Sequence, residues 1–216
     1  METRSTNTSR LFFALGALLT WGAVLLQLYL ALYNRTASIP ETLARFFTFF
    51  TILSNTLAAV CFTSLLRTRG IHEQQFFSKS TVFSAVTVYI MVVCLVYQVA
   101  LRPIWNPQGL QKVVDELLHS VNPVFFVVCW IFFVSKHSLQ WKHLFQWLAF
   151  PFVYLLIILI RGAITGYYPY PFVNVVNLGY GKVFINCGIV LLVFLVFSAM
   201  LIGIGRFASR SSMVSF

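Results

Sequence analysis

"LFFALGALLTWGAVLLQLYLALY", Leu11 to Tyr33, carries no charged side chain and no proline. A run of about 20 such residues matches the hydrocarbon thickness of a bilayer when helical. Only a helix can then satisfy its backbone, because lipid offers no partner to a free N–H or C=O. The run is about twice as long as the apolar core of a cleavable signal, and no small-x-small site follows it. It is expected to remain as a membrane span.

Five further stretches read the same way: Phe46 to Leu66, Thr81 to Leu101, Leu117 to Ser135, Leu144 to Ile160 and Val183 to Gly205. The connections between the six spans are too short for a separate domain. Composition agrees: of 216 residues, 59% are hydrophobic and only 9% charged, which excludes a soluble globular domain. The expected fold is all-α, a single six-helix transmembrane domain over residues 1–216 of a multi-pass integral membrane protein.

The net charge of +10 does not mark a nucleic-acid binder, since the basic residues are scattered at span ends, where they meet headgroups and set topology. Arg4, Arg10, Arg67, Arg69, Lys79, Lys136, Lys142, Arg206 and Arg210 fall on the side of the chain ends. Arg35, Arg45, Arg102, Lys112, Arg161 and Lys182 fall opposite. That bias predicts both termini cytoplasmic and the first, third and fifth loops outside. The sequon Asn34-Arg35-Thr36 is then outside, close to the membrane. Cys61, Cys94, Cys129 and Cys187 all lie in spans without metal-ligand spacing and are read as small packing residues.

Two connections are more than linkers. "RPIWNPQGLQKVVDELLHS", from Arg102, opens with two prolines and a glycine and then regains helical spacing, so a helix is expected from near Gln111. "RGAITGYYPYPFVNVVNLGYGK", from Arg161, concentrates Gly, Pro and Tyr and predicts a structured loop at the headgroup level.

The polar residues of the spans collect on the outer side. On one continuous helix through "RFFTFFTILSN", Arg45 to Asn55, the side chains of Thr48, Thr51 and Asn55 share a narrow stripe. With the predicted topology that stripe falls in the outer half together with His119, Asn122, Lys182 and Asn186, while Arg102 and Arg161 cap the outer ends of the third and fifth spans. An ionisable side chain at a membrane helix is a functional hypothesis by default. Asp115 stands four residues before His119 and Glu116 three, so either carboxylate is placed to orient the ring. The structural alternatives are a histidine at the headgroup level, threonines bonded one turn back, asparagines clasping helices and snorkelling arginines.

"RFFTFFTILSN", "LHSVNPVFF" and "YYPYPFVNVVNLGYGKVFINCG" resemble, in this order, three signatures of the androgen-induced-gene family of multi-span membrane proteins, which includes the androgen-dependent TFPI-regulating protein and bacterial and fungal relatives. The resemblance implies a lipid esterase cleaving fatty-acid esters, such as those of hydroxy fatty acids, with a threonine nucleophile and a histidine base. It assigns these roles to Thr48 and His119 and aligns Tyr170, Pro171 and Phe172 with the family's Tyr-Pro-Phe. Thr51 is left to position or hydrogen-bond.

Two positions depart from the pattern: Pro123 stands four residues after His119 where five are expected, and Asn174 replaces a frequent acid. On this reading Asp115 or Glu116 orients His119, and Asn55, Asn122 or Thr51 stabilises the oxyanion. Arg102 or Arg161 holds a substrate carboxylate, with Tyr170, Asn174, Lys182 and Asn186 as further substrate contacts. The partners expected are the bilayer and a lipid ester, with no nucleic acid, cofactor or metal. The competing reading is a transporter or lipid-binding protein using the same outer cavity; paired broken helices and midplane charges, the usual marks of alternating access, are missing from the sequence.

Overall fold

Each apolar run folds into a helix, and what distinguishes the helices is where proline, glycine and aromatic clusters interrupt them. The computed structural model describes residues 7–211, which contain helices and turns but no strand. Arg4 lies outside the described residues, as does the side chain of Arg210. The elements are α1 (Asn7–Tyr33), α2 (Ile39–Phe46), α3 (Phe50–Thr68), α4 (Ser80–Val96), α5 (Gly109–Glu116), α6 (Asn122–Phe133), α7 (Lys142–Thr165) and α8 (Val175–Ser211). A π-turn, Tyr97–Leu101, extends α4, and a second, Leu117–Val121, joins α5 to α6.

Six continuous segments are long and apolar enough to cross a membrane: Asn7–Tyr33, Phe50–Thr68, Ser80–Leu101, Gly109–Phe133, Lys142–Thr165 and Val175–Phe207. The chain is a multi-pass integral membrane protein. The start of α1 and the last turns of α8 lie at one end of the bundle, where Phe12 meets Phe133 and Gly205 approaches Leu139, and the opposite end is called distal below.

α7 runs on past Ile160 to Thr165, and two other boundaries differ more from the sequence expectation. The second span does not start at Phe46: α2 stops there, residues 47–49 are non-helical, and Phe49 enters α3 in an extended conformation (φ −82°, ψ 120°). The helical stripe assumed for Thr48, Thr51 and Asn55 is therefore cut, and Thr48 sits outside α3. The last helix begins early, at Val175, but bends at Gly179 (φ 73°, ψ 159°), a conformation open to glycine alone at low cost.

Helices in lipid associate by close packing and hydrogen bonds more than by hydrophobic transfer. The tightest approach is α1 on α3: a Cβ at Gly16 would lie 2.6 Å from the Phe62 ring, so only glycine admits that ring. Trp21 Nε1 donates to Thr63 Oγ1 (3.1 Å) along the same seam. Phe62 in turn meets Phe83 of α4 and Phe126 of α6, whose rings stack at 4.1 Å. α7 is less embedded and carries Pro151, which cannot donate to the Trp147 carbonyl one turn back. Tyr89 Oη supplies that hydrogen bond (2.8 Å) and ties α7 to α4.

Candidate functional site at the distal end

The two π-turns build the site, and both have the same cause. Arg102 N–H bonds the Tyr97 carbonyl (2.8 Å) and Asn122 N–H bonds the Leu117 carbonyl, five residues back in each case. The next residue is proline in both places, Pro103 and Pro123. Proline has no N–H to carry the shifted register forward, so the carbonyls of Gln98 and Leu118 lose their helical donors. In the second turn the loss is repaired from another helix, by Asn55 Nδ2 donating to Leu118 O (3.2 Å).

The widened turn aims His119 inward, where its ring stacks on Tyr97 of the first π-turn, centroids 3.9 Å apart and planes 13° apart. His119 Nδ1 is 2.9 Å from the main-chain carbonyl of Asp115. A carbonyl only accepts, so the proton resides on Nδ1, and the neutral ring presents a lone pair at Nε2. Thr51 Oγ1 lies 3.3 Å from that Nε2, with both side chains buried. A hydroxyl facing the basic nitrogen of an oriented imidazole is the arrangement from which a nucleophile is activated.

Thr48 does not take this place. Its hydroxyl donates to the Arg45 carbonyl (2.5 Å) and its own carbonyl accepts from Tyr154 Oη (2.7 Å). The break at residues 47–49 turns it back toward α2, so Thr51 and not Thr48 is the threonine whose hydroxyl meets His119.

The acidic neighbours are also redistributed. Asp115 orients His119 through its backbone, while its buried carboxylate accepts from Trp105 Nε1 (2.5 Å), Gln111 Nε2 (3.3 Å) and Tyr97 Oη (3.4 Å). Glu116 faces away, paired with Arg102 and accepting from Ser120 Oγ (2.7 Å). Arg102 is thereby engaged on the exposed face with Glu116 and Gln98.

Asn55 and Asn122 form a clasp. Both hydrogens of Asn55 Nδ2 are spent, on Thr51 O (2.9 Å) and Leu118 O, and its Oδ1 accepts from Asn122 Nδ2 (3.0 Å). Asn55 therefore has no proton left for an oxyanion. Tyr170 does come to the site: its hydroxyl accepts the Thr51 N–H (3.3 Å), and burial pushes its phenol above the ordinary range, so it remains a proton donor.

The other expected substrate contacts act within the fold. Asn174 Oδ1 accepts from Asn177 N–H (3.2 Å) as the cap of α8, and Asn186 Nδ2 donates to Phe172 O (2.8 Å), pinning the Tyr-Pro loop. Lys182 is exposed on α8. Arg161 reaches Glu41 (3.0 and 3.2 Å), which Arg45 also holds (2.7 Å), and both guanidiniums lie over the Tyr167 ring at 5.1 and 4.5 Å.

This clamp joins α2 to α7 just before the break that presents Thr51. The hydrogen bond from Arg45, followed by Arg161, holds the Glu41 carboxyl below its usual range. Its contribution to stability is thus present above the unfolded carboxyl pKa, and is lost as pH falls through the lower folded value. Glu41→Gln is expected to shift the melting temperature of the detergent-solubilised protein at neutral pH, and the difference from wild type should vanish on acidification below about pH 4. A difference that persists unchanged into acid would exclude this clamp.

Two cavities meet at Thr51, Leu101 and Tyr170. One, of about 670 Å³, lies among α3, α4, α7 and α8 and is almost wholly apolar. The other, of about 570 Å³, opens at the distal end beside Gln27, Arg45, Gln111, Asp115 and His119. No family model, curated protein or solved structure matches the chain. The chemistry of the site therefore has to be argued from its own geometry. No role for Tyr97 and Trp105, the side chains that fix His119 and Asp115, is read from the sequence; their signal is a pair of aromatic residues on either side of Pro103, at the first π-turn.

Proposed function

We propose that the protein is an integral-membrane ester hydrolase acting on lipid esters, with Thr51 as nucleophile and His119 as general base. The observation that carries this reading is the Thr51 Oγ1–His119 Nε2 contact with Nδ1 locked on the Asp115 carbonyl. The resemblance to the androgen-induced-gene family supports the same reaction type, with the nucleophile's role moved from Thr48 to Thr51. The Lys/Arg bias supports cytoplasmic termini and a distal end that faces outward.

In this mechanism Thr51 Oγ attacks the ester carbonyl while Nε2 takes its proton. The imidazolium so formed keeps its Nδ1–H on the Asp115 carbonyl and gains from the nearby Asp115 carboxylate. Tyr170 donates to the oxyanion. Collapse breaks the ester C–O bond, His119 returns the proton to the departing alcohol, and an acyl-threonine remains. Water, deprotonated by His119, cleaves it to the carboxylic acid and restores the hydroxyl. The hydroxyl's restricted χ1, a property of β-branched threonine, holds it toward the ring at little entropic cost.

The direct test is to treat the detergent-solubilised protein with a fluorophosphonate probe and locate the adduct by peptide mass spectrometry. The expected adduct is on Thr51 and is lost in His119→Gln. An adduct on Thr48 would return the nucleophile's role to Thr48, and a folded protein that takes no probe and hydrolyses no ester while binding fatty acid would replace this reading by lipid binding.

A further inference from the structure

The larger cavity has one polar end. Its walls are aliphatic and aromatic, and the Thr51 and Tyr170 hydroxyls stand where it joins the distal cavity. Below them the lining runs along α7 from Ile158 to Phe145, about 20 Å of helix at 1.5 Å per residue. α8 forms the opposite wall, and Phe145, Phe152 and Phe184 along the two helices are exposed on the surface that meets lipid. The cavity is thus an apolar slot, continuous with the reactive hydroxyl at one end and bordered by the bilayer along its length. Its volume lies in the range of sites that enclose whole ligands.

Two small residues face this slot from opposite walls, Ala149 on α7 and Gly188 on α8. Neither is required by packing in the way Gly16 is: a Cβ built at Gly188 meets no atom within 4 Å, and its helix there is regular. In a chain with this many Phe and Leu residues, a glycine and an alanine at a cavity wall leave space that larger side chains would fill.

We infer that the slot between α4, α7 and α8 holds the acyl arm of the substrate, and that Ala149 and Gly188 keep it open for long chains. The ester carbonyl then sits at Thr51, and the alcohol arm leaves through the distal cavity past Arg45 and Gln111. This deepens the esterase reading and rests on it for the position of the carbonyl, but the acyl site itself does not depend on turnover. Access for the chain is lateral, from the membrane past Phe145 and Phe152 of α7 and Phe184 of α8, the exposed side chains that line the slot.

Two measurements test it on Gly188→Leu and Ala149→Phe. The first is kcat/KM on the p-nitrophenyl esters of butyrate, octanoate, laurate and palmitate. Both variants should lose kcat/KM on palmitate by about tenfold or more, as the new side chain and the distal methylenes compete for one space, and lose much less on butyrate. Equal losses on butyrate and palmitate, or no loss on either in both variants, would overturn the assignment.

The second measurement is quenching-detected binding of anthroyloxy-labelled palmitate, which needs no catalysis. Weaker binding in both folded variants, with wild-type melting temperatures, supports the slot; unchanged binding refutes it. If wild type hydrolyses none of the four esters, the esterase reading fails, and the binding result alone decides the acyl site.

Discussion

Thr51→Val is expected to abolish ester turnover, by at least about 10³-fold in kcat, while Thr48→Val leaves kcat within about threefold of wild type. The two threonines are three residues apart and chemically identical, so the contrast isolates geometry. Thr51 Oγ1 faces His119 Nε2, whereas the Thr48 hydroxyl is turned onto the Arg45 carbonyl of its own helix end. Losing that second bond costs stability of about 1 kcal/mol and nothing at the reacting atoms. Thr51→Ser should retain most activity, because the hydroxyl survives and only the χ1 restriction is relaxed.

His119→Gln keeps a polar side chain of similar reach but removes the base, and should match Thr51→Val in kcat with little change in KM. The two lesions should not multiply in the double variant, since each disables the same proton transfer. Turnover is measured on a chromogenic ester and folding by thermal unfolding. Loss of turnover in Thr48→Val with Thr51→Val spared would reverse the assignment.

Much of the fold is legible in the chain because lipid leaves it few choices: every run from Leu11 to Tyr33 onward that is long and uncharged had to become a helix. The distal polar cluster was legible too, through span direction. What hid the Thr51–His119 contact is a local repeat, Phe46-Phe47-Thr48 followed at once by Phe49-Phe50-Thr51. A motif of the form basic-aromatic-aromatic-Thr selects the first copy, and periodicity alone gave both threonines one stripe. Only the break at residues 47–49 separates them, and it is specified by tertiary contacts, among them Tyr154 on the Thr48 carbonyl and Tyr170 on the Thr51 N–H, more than 100 residues away.

The role of Asp115 was hidden for a related reason. At i−4 from a histidine on a regular helix, a carboxylate is the obvious partner; in the π-turn the ring folds back onto the backbone carbonyl, and the carboxylate is released to Trp105. The prolines that cause the two π-turns are plain in the sequence. Their consequence, an orphaned carbonyl that another helix must satisfy, is not.

That consequence makes Asn55 a site of large expected stability loss. Asn55→Leu preserves the volume and removes three hydrogen bonds, leaving Leu118 O and the Asn122 amide without donor or acceptor at 2% and 1% exposure. Hydrogen bonds between membrane helices are often worth only about 0.6 kcal/mol, because the separated helices find other partners. Here the comparison favours a larger figure: the Leu118 carbonyl is orphaned by Pro123 inside its own helix, and water cannot reach it in the folded state. Two buried groups left unpaired, at about 1–3 kcal/mol each, give an expected loss of roughly 2–6 kcal/mol. Thermal unfolding in detergent should show it as a drop of several degrees.

Asn122 provides the control. Its Oδ1 already has no hydrogen-bond partner, so Asn122→Leu removes a burial cost along with one bond and should destabilise less than Asn55→Leu. Combining the two should cost less than their sum, because the second change removes a group the first has orphaned. A strictly additive double variant, or an Asn55→Leu protein as stable as wild type, would show that the clasp does not hold the π-turn. Because the same turn carries His119, the clasp also couples stability to chemistry: Asn55→Leu should lower kcat while leaving KM nearly unchanged, and Asn55→Ala, which cannot replace the lost volume either, should lower both stability and kcat further.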